Sequence, residues 1–292
     1  MKEFTVRVDG AVLAASYSQG GDTAVVALHG AGEGTRDYVL YRHLHEVLPE
    51  VGIGVVTFDR RGDGASTGHS SRGRFEVQAE DALGVLSVVG AKRVGLWGFS
   101  QGGWVAPLAA AESPRVAFVV GVASTGVTPS EQMMYATEQQ LTRAGYGNAV
   151  VQRVLALRRF YEAYVHGRAT GREEELAIEL QRALEEPWWL LAFLPPVPLD
   201  AEGCRHWIEE MDFDPFPVFQ RVQVPALMFY GEDDAWTPVE PSVRAWRDAR
   251  GDAVDVVVVP EASHEMTLPD DTIAMEYEQK LVEWLTAFAK SA

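Results

Sequence analysis

In the stretch VGLWGFSQGGW, residues 94–104, one serine, Ser100, stands between Gly98 and Gly102 directly after an apolar run. Glycine in a strand or at a helix start lowers stability, because it loses the most backbone freedom on folding. Three glycines (Gly98, Gly102, Gly103) around one hydroxyl therefore point to crowding. A strand that turns sharply into a helix brings backbones too close for Cβ atoms and lifts the serine clear of the sheet's carboxyl edge. RVGLWG reads as the strand and GGWVAPLAAAE as the helix, so the context suits an exposed nucleophile.

Such a hydroxyl needs a base to take its proton. Of seven histidines, His264 lies just after the apolar run VDVVVVP, which places it at the same sheet edge as Ser100. His69, in a loop, is the second choice. His29 ends a strand, His43 and His45 fall on an expected surface helix, and His166 and His206 lie in a long helical stretch. The base needs a carboxylate to hold its tautomer. PALMFYGEDDAWTP offers Glu232, Asp233 and Asp234. The third position past Gly231 lets the chain turn back over the strand end, which favours Asp234 and leaves Asp233 as the alternative. A tetrahedral intermediate also needs N–H donors for its oxyanion. Gln101 beside the serine is one candidate, and Ala31 in HGAGEG is the other. Glu33 in that loop is expected to point away from developing negative charge or to meet a cationic group.

The elements that would position these residues alternate. FTVRV and VLAASYS read as a hairpin around Asp9-Gly10, followed by TAVVALHG, IGVVTFD, RVGLWG, VAFVVGVAS, PALMFYG and VDVVVVP. Each of the last six is nearly continuous in apolar residues, as a strand covered on both faces should be. Helical patterns lie between them, so the expected class is α/β, with a mostly parallel eight-stranded sheet flanked by helices. From about residue 127 to 222 the period is helical throughout, opening on Thr128-Pro129-Ser130-Glu131, a capping box with proline at the first helical position. Thr170 and Glu173 repeat the capping pattern before Leu176, Leu180 and Leu184. This stretch reads as an inserted all-helical cap, with residues 1–126 and 223–292 forming the core.

Composition narrows the function classes. At 47% hydrophobic and 23% charged, the chain can bury a sizeable core. A net charge of −17 argues against nucleic acid and anionic membranes, which need a basic face. No run approaches 18 apolar residues, and MKEFTVRVDG has no apolar signal region, so a cytoplasmic protein is expected. The single cysteine, Cys204, excludes an intrachain disulfide and a cysteine-based zinc site, and reads as a small hydrophobe.

With strand, turn, acid and histidine in place, the chain resembles the α/β-hydrolase superfamily over nearly its full length. FDRRGDGAST, residues 58–67, is similar to that superfamily's Asp-x-Arg-Gly-x-Gly-x-Ser segment, with Arg61, Gly62, Gly64 and Ser66 in register. GFSQGGWVAPLAA and DFDPFPVFQRVQVPALMFYGEDD resemble bacterial serine hydrolases of the dipeptidyl-aminopeptidase/acylaminoacyl-peptidase-like and dienelactone-hydrolase-like groups. The order serine, acid, histidine is the one this architecture uses. The resemblance implies Ser100 as nucleophile, Asp234 as acid, His264 as base, and Ala31 and Gln101 as oxyanion donors, with no metal or organic cofactor. The expected partner is a small-molecule acyl substrate, and the expected reaction is cleavage of an ester, thioester or lactone through an acyl-enzyme. Amidase or aminopeptidase activity, and acyl transfer or ring closure, are alternatives on the same residues. A binding module that kept the fold is the non-enzymatic one. Trp188, Trp189, Phe193 and Trp207 are candidate substrate-lining residues in the cap, while Trp104 and Trp236 lie nearer the core motifs.

Overall fold

Lys2–Val8 (β1) and Ala11–Ser18 (β2) form an antiparallel hairpin closed by Asp9 and Gly10, with Val8 opposite Ala11 and Gly10 at φ 69°. Two-residue hairpin turns require left-handed backbone, which an Asp-Gly pair adopts readily. The structure, a computed structural model, describes every residue except Glu33 and Ala292. The chain then alternates: Thr23–Leu28 (β3), Val39–Val47 (α1), Ile53–Phe58 (β4), Phe75–Ser87 (α2), Arg93–Phe99 (β5), Gly102–Glu112 (α3) and Val116–Val122 (β6). Four helices follow, Pro129–Arg143 (α4), Asn148–Val165 (α5), Glu173–Ala183 (α6) and Ala201–Met211 (α7). Phe216–Arg221 (α8), Ala226–Gly231 (β7), Val239–Arg250 (α9), Val254–Val259 (β8) and Met275–Lys290 (α10) complete the chain.

The eight strands make one sheet in the order β1-β2-β4-β3-β5-β6-β7-β8. β2 pairs antiparallel with β4, and every later neighbour pair runs parallel. Parallel pairing puts the carboxyl ends of β3 to β8 on one edge, where loops can converge. β3, β4 and β7 are buried at every position, as their unbroken apolar sequences require. On one face Val25, Val55, Trp97 and Val120 pack with Leu40 and Leu44 of α1 and with Tyr277, Leu281 and Leu285 of α10. On the other, α2, α3, α8 and α9 pack in succession, and Trp246 stacks on Phe219 with ring centroids 3.8 Å apart.

The chain divides into two compact units. The first holds Met1–Gly126, Pro215–Asp234 and Val239–Ala292; the second holds Val127–Asp214 and Ala235–Pro238. Within the second unit α4 begins with the expected capping box: Glu131 N donates to Thr128 Oγ1 at 3.3 Å, and Thr128 N donates to Glu131 Oε2 at 3.2 Å. Thr170 does not repeat it. Its hydroxyl donates to Gly167 O, and α6 starts after Arg172 without a side-chain cap. The three glutamates of its first turn interact favourably with the helix dipole there instead. Leu176 and Leu180 are fully buried, each contributing roughly 1.5–3 kcal/mol.

The tightest packing of the first unit lies where β5 turns into α3. A Cβ on Gly98 would meet Gly102 O at 2.0 Å, one on Gly102 would meet Leu28 O at 2.7 Å, and one on Gly103 would meet Ser124 Cα at 2.6 Å. These neighbours are backbone atoms that cannot rotate away, so the crowding inferred from the sequence is present. Gly98→Ala should therefore destabilise by about 3 kcal/mol or more, a fall in Tm of roughly 6–12 °C, or abolish soluble protein. Gly90→Ala, where no atom lies within 4 Å of the added carbon, should leave Tm nearly unchanged. Equal melting curves for the two variants would contradict the packing argument.

Candidate active site

Ser100 follows the last residue of β5 and holds φ 50°, a left-handed conformation rarely adopted by a residue with a side chain. Two hydrogen bonds enforce it: Ser100 N donates to Val122 O on β6 at 2.8 Å, and Gly103 N donates to Ser100 O at 2.8 Å. The hydroxyl is thereby carried at the mouth of α3, a half-buried position. α3 begins after Gln101 without a side-chain cap, which leaves the positive end of its dipole beside the serine.

The acid and the histidine come from the neighbouring strand ends. β7 ends at Gly231 opposite Val259 of β8, and the two following loops cross there. A Cβ on Gly231 would lie 2.2 Å from Ser263 O and 2.3 Å from Ala262 O, so glycine is what permits the crossing. Asp233 N donates to Ala262 O at 2.9 Å, which locks the acid loop to the histidine loop. Asp234 is then turned inward, 2% exposed, with Oδ2 2.8 Å from His264 Nδ1, while Asp233 is exposed. Of the two aspartates, Asp234 is the one that meets the imidazole. Glu232 instead accepts from Glu261 N at 3.1 Å. The His264 ring lies with its centroid 5.1 Å from that of Phe99, the residue preceding Ser100.

The loop after β3 reaches the same place. A Cβ on Gly30 would sit 3.5 Å from Ser100 Cβ, which puts the Gly30–Ala31 peptide beside the serine. Ala31 is exposed and Gln101 is buried. Glu33 lies outside the described residues. The other histidines lie in different settings. His69 is exposed; His43, expected on a surface, is buried; and His45 is half-buried, with Ser18 Oγ at 2.8 Å and Thr57 Oγ1 at 3.0 Å from its ring nitrogens. α10 covers His43, through Tyr277 and Glu278, and the strands β2 and β4 meet His45, neither of which the local sequence pattern of α1 encodes. His166 pairs with Asp212 at 2.8 Å.

Within the second unit, Trp188 is 2% exposed in an apolar core with Leu141, Val154 and Leu155. Trp189 packs against that core and its neighbour. Trp207 lies against Tyr161 at 5.2 Å and donates to Glu162. Phe193 has φ 49° and pairs with Trp236 at 5.1 Å, so it meets the segment that directly follows Asp234 in the chain. Cys204 is half-buried among apolar side chains, and burial raises its thiol pKa. Arg158 was not singled out by the sequence. It is 1% exposed, and its guanidinium donates to the carbonyls of Ala192 and Phe193. Trp104 donates its indole N–H to Thr125 O at 2.7 Å in the first unit.

The site thus holds an imidazole with one nitrogen bonded to a carboxylate, its ring packed on Phe99, the residue that precedes a strained serine. The family model described as "Alpha/beta hydrolase family" matches residues 25–275. The chain belongs to the alpha/beta hydrolase family. This alpha/beta hydrolase is 25% identical over 254 residues to a 2-hydroxy-6-oxononadienedioate/2-hydroxy-6-oxononatrienedioate hydrolase of Burkholderia vietnamiensis, covering 83% of this chain and 82% of that one. Its fold is similar to that of a Pyrococcus furiosus esterase, at TM-score 0.66 and 17% identity over 99% of this chain and 90% of that chain. It is also similar to a proline iminopeptidase of Mycobacterium smegmatis, at TM-score 0.62 and 18% identity over 98% of both chains. Those identities carry the fold and no further.

His29, next to the serine's loop, has its pKa lowered to about 3 by burial and by the charge of Arg60. It therefore stays neutral in the native state, while the unfolded chain protonates it near pH 6.5. Below that pH the unfolded state binds a proton that the native state does not, so native stability falls as pH drops from 6.5 toward 3. Replacing His29 by Asn should make the decline in urea-unfolding free energy between pH 6.5 and 4.5 shallower by roughly 1.4 kcal/mol per pH unit. Parallel pH dependences for wild type and variant would refute a buried neutral His29.

Proposed function

We propose that this alpha/beta hydrolase is a serine hydrolase that cleaves a carboxylic ester of a small acyl substrate. The observation that carries the reading is the 2.8 Å contact between His264 Nδ1 and Asp234 Oδ2, with the imidazole packed on Phe99, the residue before a serine held at φ 50°. With Nδ1 bonded to the carboxylate, Nε2 takes the role of base. Ser100 Oγ attacks the acyl carbon as its proton passes to His264 Nε2, and the carbonyl π pair moves onto oxygen. The Gln101 and Ala31 N–H groups are the donors proposed to stabilise that oxyanion. Collapse expels the alcohol, which takes the proton from His264. Water then attacks the acyl-enzyme and gives a proton to His264; collapse breaks the bond to Ser100 Oγ, which takes that proton back from His264 as the acid leaves. No step as written requires a metal.

A second reading follows from the curated relatives, whose names specify hydrolysis of 2-hydroxy-6-oxononadienedioate. On this chain the same serine and histidine would act on an oxo acid in place of an ester.

A fluorophosphonate probe should label the wild type and leave Ser100→Ala unlabelled, and turnover of p-nitrophenyl butyrate should fall by about a millionfold in that variant. Asp234→Asn should lose about 10⁴-fold in kcat by allowing the wrong tautomer, whereas Asp233→Asn should stay close to wild type. A p-nitroanilide hydrolysed faster than its matched ester would favour amidase chemistry, and consumption of 2-hydroxy-6-oxononadienedioate without ester turnover would favour the second reading. A wild type that takes no label and turns over none of these would leave the fold without the proposed chemistry.

A further inference from the structure

Arg60 occupies the variable position of the Asp59–Ser66 segment, and nothing in the reaction as proposed uses it. It is 1% exposed, an unusual place for a guanidinium. Its donors are distributed with a purpose that geometry makes explicit. Nη1 donates to Gly30 O at 3.2 Å, Nη2 donates to Gly32 O, and Nε donates to Asp63 Oδ2 at 3.0 Å. Nη1 also lies 3.5 Å from the side-chain Oε1 of Gln101, which accepts from Gln78 Nε2 at 3.1 Å. Asp63 is held in turn by Arg72 at 3.2 Å, and Gln78 Nε2 donates to Ser71 O at 2.8 Å. The backbone joins the same lock, since Arg60 N donates to Gly34 O at 2.7 Å. A Cβ on Gly34 would fall 2.5 Å from Arg60 Nε, so the loop lies directly on the guanidinium.

The consequence follows from peptide planarity. Gly30 C=O and Ala31 N–H belong to one trans peptide and point in opposite directions. A donor that fixes the carbonyl fixes the direction of the N–H. The loop HGAGEG contains three glycines and so has little intrinsic preference for any one orientation. Arg60 grips the two carbonyls that flank Ala31, those of Gly30 and Gly32, with a rigid planar fork that a lysine lacks. The same guanidinium reaches the side chain of Gln101, whose backbone N–H is the other donor. Drawing electron density from the Gly30 carbonyl also polarises the Ala31 N–H, as in any hydrogen-bonded chain.

We propose that Arg60 is a positioning residue that aims the Ala31 and Gln101 amides at the oxyanion. The proposal rests on the hydrolase reading and adds what makes a glycine-rich loop a preorganised donor. Preorganisation matters because donors already aligned need no reorganisation as charge develops. The effect therefore belongs to the transition state, and ground-state substrate binding should hardly sense it.

The test is p-nitrophenyl butyrate hydrolysis by wild type, Arg60→Lys and Arg60→Gln, with inhibition by phenylboronic acid, whose tetrahedral serine adduct mimics the intermediate. In both variants kcat should fall on the order of 10²-fold with KM within about twofold, and the boronate Ki should rise by a factor matching the loss in kcat. Lysine should not rescue, because it keeps the charge and loses the fork. If either variant fails to fold, Asp63→Asn keeps the guanidinium but loosens its anchor, and should lower kcat and weaken boronate binding in step by about tenfold. Folded variants with unchanged kcat and Ki overturn the proposal. So does a rise in KM without loss of kcat. A wild type inert toward ester, fluorophosphonate and boronate overturns the hydrolase reading, and this inference with it; an active wild type with unaffected variants overturns the inference alone.

Discussion

Between Gly98 and Gly103 a strand becomes a helix with main-chain atoms in direct contact, and the position of every other functional group is set relative to that reversal. The contact that a Gly98 Cβ would make, 2.0 Å from Gly102 O, shows how little space separates the two arms. Ser100 accepts the left-handed conformation because the turn allows no other, held by Val122 O on one side and Gly103 N on the other. Such strain persists only where surrounding structure over-determines it. Here the surroundings are the parallel strands beside β5 and α3, whose residues from Gly102 to Ala110 are all buried.

Around this reversal the polar groups are arranged so that buried charge is paired. Arg61 Nε meets Asp81 Oδ2 at 3.0 Å, Arg60 meets Asp63, and Asp59 accepts from the amides of Arg36 and Ala65 at 2.9 and 2.8 Å. A buried charge without a partner would lose hydration without compensation. The Asp59–Arg36 contact ties the segment after β4 to the loop after β3, and the Arg61–Asp81 pair ties it to α2. His29 stays neutral in the same region because burial and Arg60 both oppose its protonation.

Local signals made much of this legible. The continuous apolar runs named the strands, Asp9-Gly10 named the hairpin, and Thr128-Pro129-Ser130-Glu131 named a helix start, because each is a property of a few adjacent residues. Ser100 and His264 were legible through position relative to strands, and Asp234 was favoured for the reach of its loop. The failures were also physical. Thr170 carries a capping sequence, but its hydroxyl bonds back to Gly167 O and the helix begins later. His43 looked superficial on a helical wheel, yet its neighbours in the fold bury it. Gly231 gave no signal at all, since its need for a missing Cβ arises from a loop some thirty residues away.

What the amino-acid sequence determined alone is the set of elements and where certain residues fall on them: alternating strands and helices, a serine at a crowded turn, an acid and a histidine after later strands. These follow from backbone propensity and periodicity, which act over a few residues. Only the tertiary structure decided which aspartate faces the imidazole, that Gly231 lets the two loops cross, and that Arg60 grips the carbonyls of Gly30 and Gly32. Those outcomes depend on groups distant along the chain meeting at contact distance, and no local pattern encodes which of several carboxylates or carbonyls will be within reach.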